Sequence, residues 1–161
     1  MKFTLAAVAA FASTALAASL PEAFTLVAEG GKTVVTDGQN LFVGTDSSAN
    51  EVLILRGNAQ DTPLTFTSKN STPTGFQNLW VVEDDTLPVG LTTPHSAAYP
   101  EGASETGFGV NDDGLFTHDG NAYFAVDGYA SGDQPLKVYW YGRHSSEYKG
   151  MNLTVKECKG C

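Results

Sequence analysis

Past residue 17, no stretch of this sequence places apolar residues at i, i+3, i+4 and i+7 over a helical length. Amphipathic helices are therefore ruled out as its building blocks. Short runs of β-forming residues alternate instead with glycine-bearing turns. The runs are Phe24–Ala28, Thr33–Thr36, Leu41–Gly44, Val52–Leu55, Leu64–Thr67, Leu79–Val82, Gly107–Val110, Leu115–Thr117, Ala122–Val126, Lys137–Tyr141 and Leu153–Lys156, with a further one around Leu87–Thr92. Gly30-Gly31, Asp37-Gly38, Asp113-Gly114, Asp119-Gly120 and Asp127-Gly128 punctuate them. Asp-Gly suits tight hairpins, where both central residues need positive φ. The expected class is all-β: a small antiparallel β-barrel of about eleven or twelve short strands, with a β-sandwich as the alternative. Gln39-Asn40-Leu41-Phe42-Val43 is echoed by Gln77-Asn78-Leu79-Trp80-Val81 and, more loosely, by Asn121-Ala122-Tyr123-Phe124-Ala125. Three such strands at similar intervals suit a threefold barrel of the β-trefoil type.

Residues 1–17 have the layout of a secretory leader. Lys2 supplies the positive start, Phe3–Phe11 the apolar run, and Ala15-Leu16-Ala17 a small-x-small cleavage site. The run is too short to span a bilayer. The expected mature chain is residues 18–161, a single all-β domain that is secreted, extracellular and monomeric. Nine Lys and Arg against 18 Asp and Glu give a net charge of −9. That balance argues against nucleic acid, which needs a basic patch, and against anionic lipid. No second spanning run follows, so membrane insertion is not expected.

Chemistry is sparse. Cys158-Lys159-Gly160-Cys161 closes the chain. A redox CxxC opens a helix that lowers the thiol pKa, and no chain remains to form one. Zinc would need two more ligands, and the histidines His95, His118 and His144 are scattered. A secreted context favours a disulfide between Cys158 and Cys161, with a redox or intermolecular role and a metal as alternatives. The adjacent acids Asp84-Asp85 and Asp112-Asp113 read as solvated turns rather than carboxyls facing each other across a sugar. No nucleophile elbow occurs, and no catalytic, cofactor or metal constellation is expected. Asn70 and Asn152 fit the N-glycosylation acceptor pattern, Asn70 with Pro73 following its triplet. The weakly patterned stretch from Glu83 to Glu105 makes Asp84, Asp85, His95 and Glu101 candidate surface-contact residues. In Val138-Tyr139-Trp140-Tyr141 alternation puts Tyr139 and Tyr141 on one face, as candidates for sugar stacking or protein contact.

The segments Phe24–Ala28, Asp37–Gly44, Asp113–Phe116 and Val138–Gly142, with the terminal pair Cys158 and Cys161, resemble small secreted fungal proteins. The nearest group is the family of hypersensitive-response-inducing elicitors of the rice blast type. A more distant likeness is to phialide-type fungal cell-wall proteins. The resemblance implies a non-enzymatic protein of the apoplast or fungal wall that plant cells perceive as a defence trigger. Its partner would be a plant cell-surface component or a wall polysaccharide. The family's terminal cysteine pair maps onto Cys158 and Cys161. A carbohydrate-binding module and a small secreted hydrolase are the competing expectations.

Overall fold

A computed structural model describes residues 18–44, 50–70, 75–96, 98–128, 134–142 and 146–161. The expected leader, residues 1–17, and His144 lie outside the described residues. Among those described, every regular element is a strand: β1 (Ala23–Ala28), β2 (Val34–Thr36), β3 (Leu41–Val43), β4 (Glu51–Val52), β5 (Leu55–Arg56), β6 (Thr65–Thr67), β7 (Phe76–Val82), β8 (Leu87–Pro88), β9 (Gly90–Leu91), β10 (Ala103–Ser104), β11 (Phe108–Val110), β12 (Phe116–His118), β13 (Phe124–Asp127), β14 (Leu136–Trp140), β15 (Tyr148–Gly150) and β16 (Leu153–Glu157). All pairings between them are antiparallel. The all-β expectation holds. No described helix is long and apolar enough to cross a membrane.

The expected barrel does not form. One sheet runs β10-β7-β6-β5-β1-β16 with β9 added on β7, and the other runs β15-β13-β14-β3-β2-β4 with β8 added on β14. Neither order returns to its start, and the arrangement is sandwich-like. The three echoed segments also break threefold symmetry. Those in β3 and β13 flank β14 in one sheet, while the one in β7 belongs to the other.

The chain makes this sandwich by changing sheets in mid-run, as corner strands do. Val52 pairs with Val35, yet Leu55 pairs with Phe24 across the core. Leu53, fully buried, sits at that crossing and donates its N–H to the Val34 carbonyl at 3.1 Å. The second crossing is tighter. Pro88 pairs with Tyr139 and Gly90 with Trp80. Between them buried Val89 donates its N–H to the Val138 carbonyl at 3.0 Å. A β-carbon on Gly90 would overlap the Trp80 indole, so only glycine lets the strands approach this closely.

Alternation fills the space between the sheets. Phe24, Leu26, Leu55, Leu79 and Val81 enter from one side, and Val34, Leu41, Val126, Val138 and Trp140 from the other. The β11–β12 hairpin closes one end. Its turn is set by Asn111, whose Oδ1 accepts the N–H groups of Asp113 at 3.0 Å and Leu115 at 2.9 Å. The hairpin delivers Phe108 and Phe116 to the core, with Phe116 stacked between Phe108 (5.5 Å) and Phe124 (5.3 Å). The C-terminal β16 pairs with β1 along Phe24–Ala28, and the Cys158 N–H reaches the Ala23 carbonyl at 2.9 Å. Cys158 and Cys161 form the expected disulfide, their Cα atoms 5.7 Å apart.

Candidate functional site at His118

Inward parity on β12 puts His118 on the same face as Phe116, two residues earlier. The imidazole is 1% exposed. It packs edge-on against Phe108 at 5.0 Å and Trp140 at 5.2 Å. Its two nitrogens meet different surroundings. Nε2 lies 2.8 Å from the Thr106 carbonyl oxygen and 3.3 Å from Ser104 Oγ. A carbonyl only accepts, so Nε2 carries the proton. Nδ1 is buried and has no hydrogen-bond partner. It points between two carboxylates, 3.4 Å from Glu83 Oε1 and 3.8 Å from Asp119 Oδ2.

Asp119 is positioned by a two-residue hairpin. His118 and Asn121 exchange backbone hydrogen bonds at 3.0 Å, and both Asp119 (φ 48°) and Gly120 (φ 80°) are left-handed. The Asp-Gly dipeptide was expected to make such a turn. Its backbone N–H donates to the Gly107 carbonyl at 2.8 Å. Gly107, at φ 89°, has no room for a β-carbon, which would strike Asp119 Oδ1. Glu83 follows β7 directly, where the chain leaves the sheet. Burial among aromatic rings holds His118 below the usual imidazole range, against the pull of the Asp119 charge and the Thr106 hydrogen bond. Glu83 is pushed above the usual carboxylate range by a hydrogen bond shared with the Asp119 carboxyl, by burial, and by the charges of Asp119 and Asp84.

His118, read from the sequence as one of three scattered histidines, thus has two carboxylates beside it. Ser104, His118 and Asp119 fall in the spatial order of a nucleophile triad, but they are not connected as one. Ser104 Oγ donates to the Thr106 carbonyl at 3.1 Å, and the Nε2 proton goes to the same oxygen. Nε2 thus has no lone pair with which to take the serine proton.

No family model, curated protein or solved structure matches this chain.

The surface residues singled out from sequence do not come together in one patch. Asp84 and Asp85 are exposed between β7 and β8, and Glu101 is exposed in the turn before β10. His95, at φ 62°, borders a small cavity with Phe76, which is 66% exposed. Tyr139 and Tyr141 lie half-buried on the outer side of β14, opposite buried Val138 and Trp140, as alternation requires. Tyr139 gains a partner that the sequence did not announce. Tyr148 of β15 lies 4.7 Å from it, the rings tilted by 53°. Burial, then Tyr148 and the Asp127 charge, push the Tyr139 phenol up. Asn70 and Asn152 are both exposed.

A second polar cluster lines a groove of about 380 Å³ between Glu51, Arg56, Phe66 and Lys69. There Glu51 accepts the Ser68 hydroxyl proton at Oε1, and the Lys69 N–H at Oε2 at 2.9 Å.

Proposed function

We propose that this is a secreted fungal protein that acts by surface recognition rather than catalysis, as a plant defence elicitor or a wall-associated protein. The observation that carries the reading is the Tyr139–Tyr148 shelf on the outer side of the β13-β14-β15 sheet. Two rigid rings with polar tips, held by strand pairing and flanked by Asp127, suit stacking on a sugar ring or contact with another protein. The leader-like residues 1–17 and the resemblance to elicitors support a surface that acts outside the cell. Ser104 donates to the Thr106 carbonyl and finds no free lone pair on His118 Nε2, which argues against the competing hydrolase.

The partner is a wall polysaccharide or a plant cell-surface component, and the shelf favours the polysaccharide. Two assays separate the readings. Retention on insoluble chitin and β-glucan, lost with Tyr139→Ala or Tyr148→Ala, is expected for a wall ligand. Leaf infiltration, with heat-denatured protein as control, should give an oxidative burst that depends on the fold. A burst reduced more than about a thousandfold by Ser104→Ala in a folded protein would overturn the recognition reading in favour of an enzyme.

A further inference from the structure

We propose that Glu83, His118 and Asp119 form a binding site for a divalent first-row transition cation of the zinc type. Three features of the site lead there.

The first is the orphaned lone pair. Nε2–H is committed to Thr106, so Nδ1 presents a bare lone pair in a buried position where no described group donates to it. A buried acceptor without a donor is costly, and a cation removes that cost. The second is what surrounds the lone pair. Both near neighbours are carboxylates, Glu83 Oε1 at 3.4 Å and Asp119 Oδ2 at 3.8 Å, so that acceptors face an acceptor. Three acceptors around one point can be reconciled by a proton or by a metal ion. The third is geometry. One ligand atom from each of the three residues lies within 4.8 Å of the others. The Nδ1 separations of 3.4 and 3.8 Å are near the ~3.3–3.5 Å between neighbouring ligands around a tetrahedral ion with bonds of about 2.0–2.1 Å. Rotation of the two partly exposed carboxylates would bring the remaining separation, within 4.8 Å, to that distance.

The surroundings already have the form of a metal site's supporting shell. Metal-bound histidines donate their other N–H to a carbonyl or carboxylate, and that fixes the ring's tautomer and aim. Here Thr106 does so, while Phe108 and Trp140 hold the ring plane. Asp119 is pinned by its hairpin and by the Gly107 carbonyl. The donor set selects the ion class. One imidazole with two carboxylates suits zinc and its neighbours, whereas calcium takes six to eight oxygens and magnesium an oxygen octahedron. Because Glu83 and Asp119 are 45% and 60% exposed at their side chains, water or a ligand oxygen can complete the coordination.

The test is calorimetric titration of untagged, chelator-treated protein with zinc chloride, alongside long-range 1H–15N NMR of the imidazoles. The expected result is one tight site per chain, with the His118 Nδ1 resonance moving and Nε2 staying protonated. Glu83→Gln and Asp119→Asn should each weaken binding by about tenfold or more, and the double variant more still. Asp112→Asn, an exposed turn acid, should bind like the parent. Circular dichroism checks folding of each variant, and the NMR arm needs none of them. An unmoved Nδ1 resonance at saturating zinc, or undiminished affinity in the folded double variant, would overturn the site. Absence of any binding would do the same and would leave a shared proton as the bridge.

Discussion

Glu51 and Glu83 are both glutamates beside a strand end, and their surroundings are opposites. Glu51 is met by donors: the Ser68 hydroxyl on one oxygen and the Lys69 N–H on the other. Its charge is answered from within the chain, and the contact ties β4 to the segment after β6. Glu83 is met by acceptors: the Asp119 carboxyl and the bare Nδ1 of His118. The first arrangement is structural, since the carboxylate answers a buried hydroxyl and a backbone N–H at once. The second is incomplete without a cation or a proton. Acidic residues are therefore better judged by the polarity of their neighbours than by their number or spacing.

The largest expected effect falls on the satisfied cluster. Glu51→Ala leaves the buried Ser68 hydroxyl and the Lys69 N–H without that partner, and should lower the unfolding free energy by about 1–3 kcal/mol in urea denaturation. The incomplete cluster should respond with the opposite sign. In metal-free protein Glu83→Gln removes a like-charge contact and should raise the unfolding free energy, by no more than about 1 kcal/mol because the side chain is 45% exposed. The sign of its pH dependence follows from the raised Glu83 pKa. Wild-type Glu83 favours folding below the ordinary carboxylate value, and that contribution is lost as pH rises through its folded value. The advantage of the glutamine should therefore vanish in acid and be full at neutral pH; a pH-independent difference would mean that charge is not its cause.

Smaller effects sharpen the contrast. Ser104→Ala removes one hydroxyl donor from Thr106, which keeps the imidazole donor. It should cost about 1 kcal/mol or less in thermal melts. The smallest concerns the outer face. Tyr139, held neutral by burial and Tyr148, should be among the last phenols to ionise in an absorbance titration. Its contribution to stability is present below pH ~10 and lost as pH rises through its folded pKa.

Much of this fold was legible in the sequence. Period-two runs located β1, β3 and β14 to within a residue or so, and the Asp119-Gly120 turn appeared where the dipeptide stands. What alternation does not encode is the sheet to which a strand belongs. Val52–Leu55 and the run around Leu87–Thr92 read as single runs because their apolar residues are nearly continuous, although each crosses the core. That crossing, invisible to local pattern, is why a barrel was expected and a sandwich formed. Strands β10 and β15 escaped because Ala103-Ser104 and Tyr148-Lys149-Gly150 have no apolar alternation. Part of the candidate site was also within reach. His118 shares parity with Phe116, so an inward histidine could have been inferred. Glu83 could not: its place opposite His118 depends on tertiary packing, and nothing near it in sequence signals a partner.

The most direct test is the tautomer of His118 in metal-free protein at neutral pH, read from long-range 1H–15N couplings of the imidazole. A proton fixed on Nε2, with Nδ1 unprotonated, is the predicted result, since the Thr106 carbonyl can only accept. A neutral ring protonated at Nδ1 would give that nitrogen a donor's role toward Glu83 and free Nε2 for Ser104. It would contradict both the open site and the exclusion of a working triad.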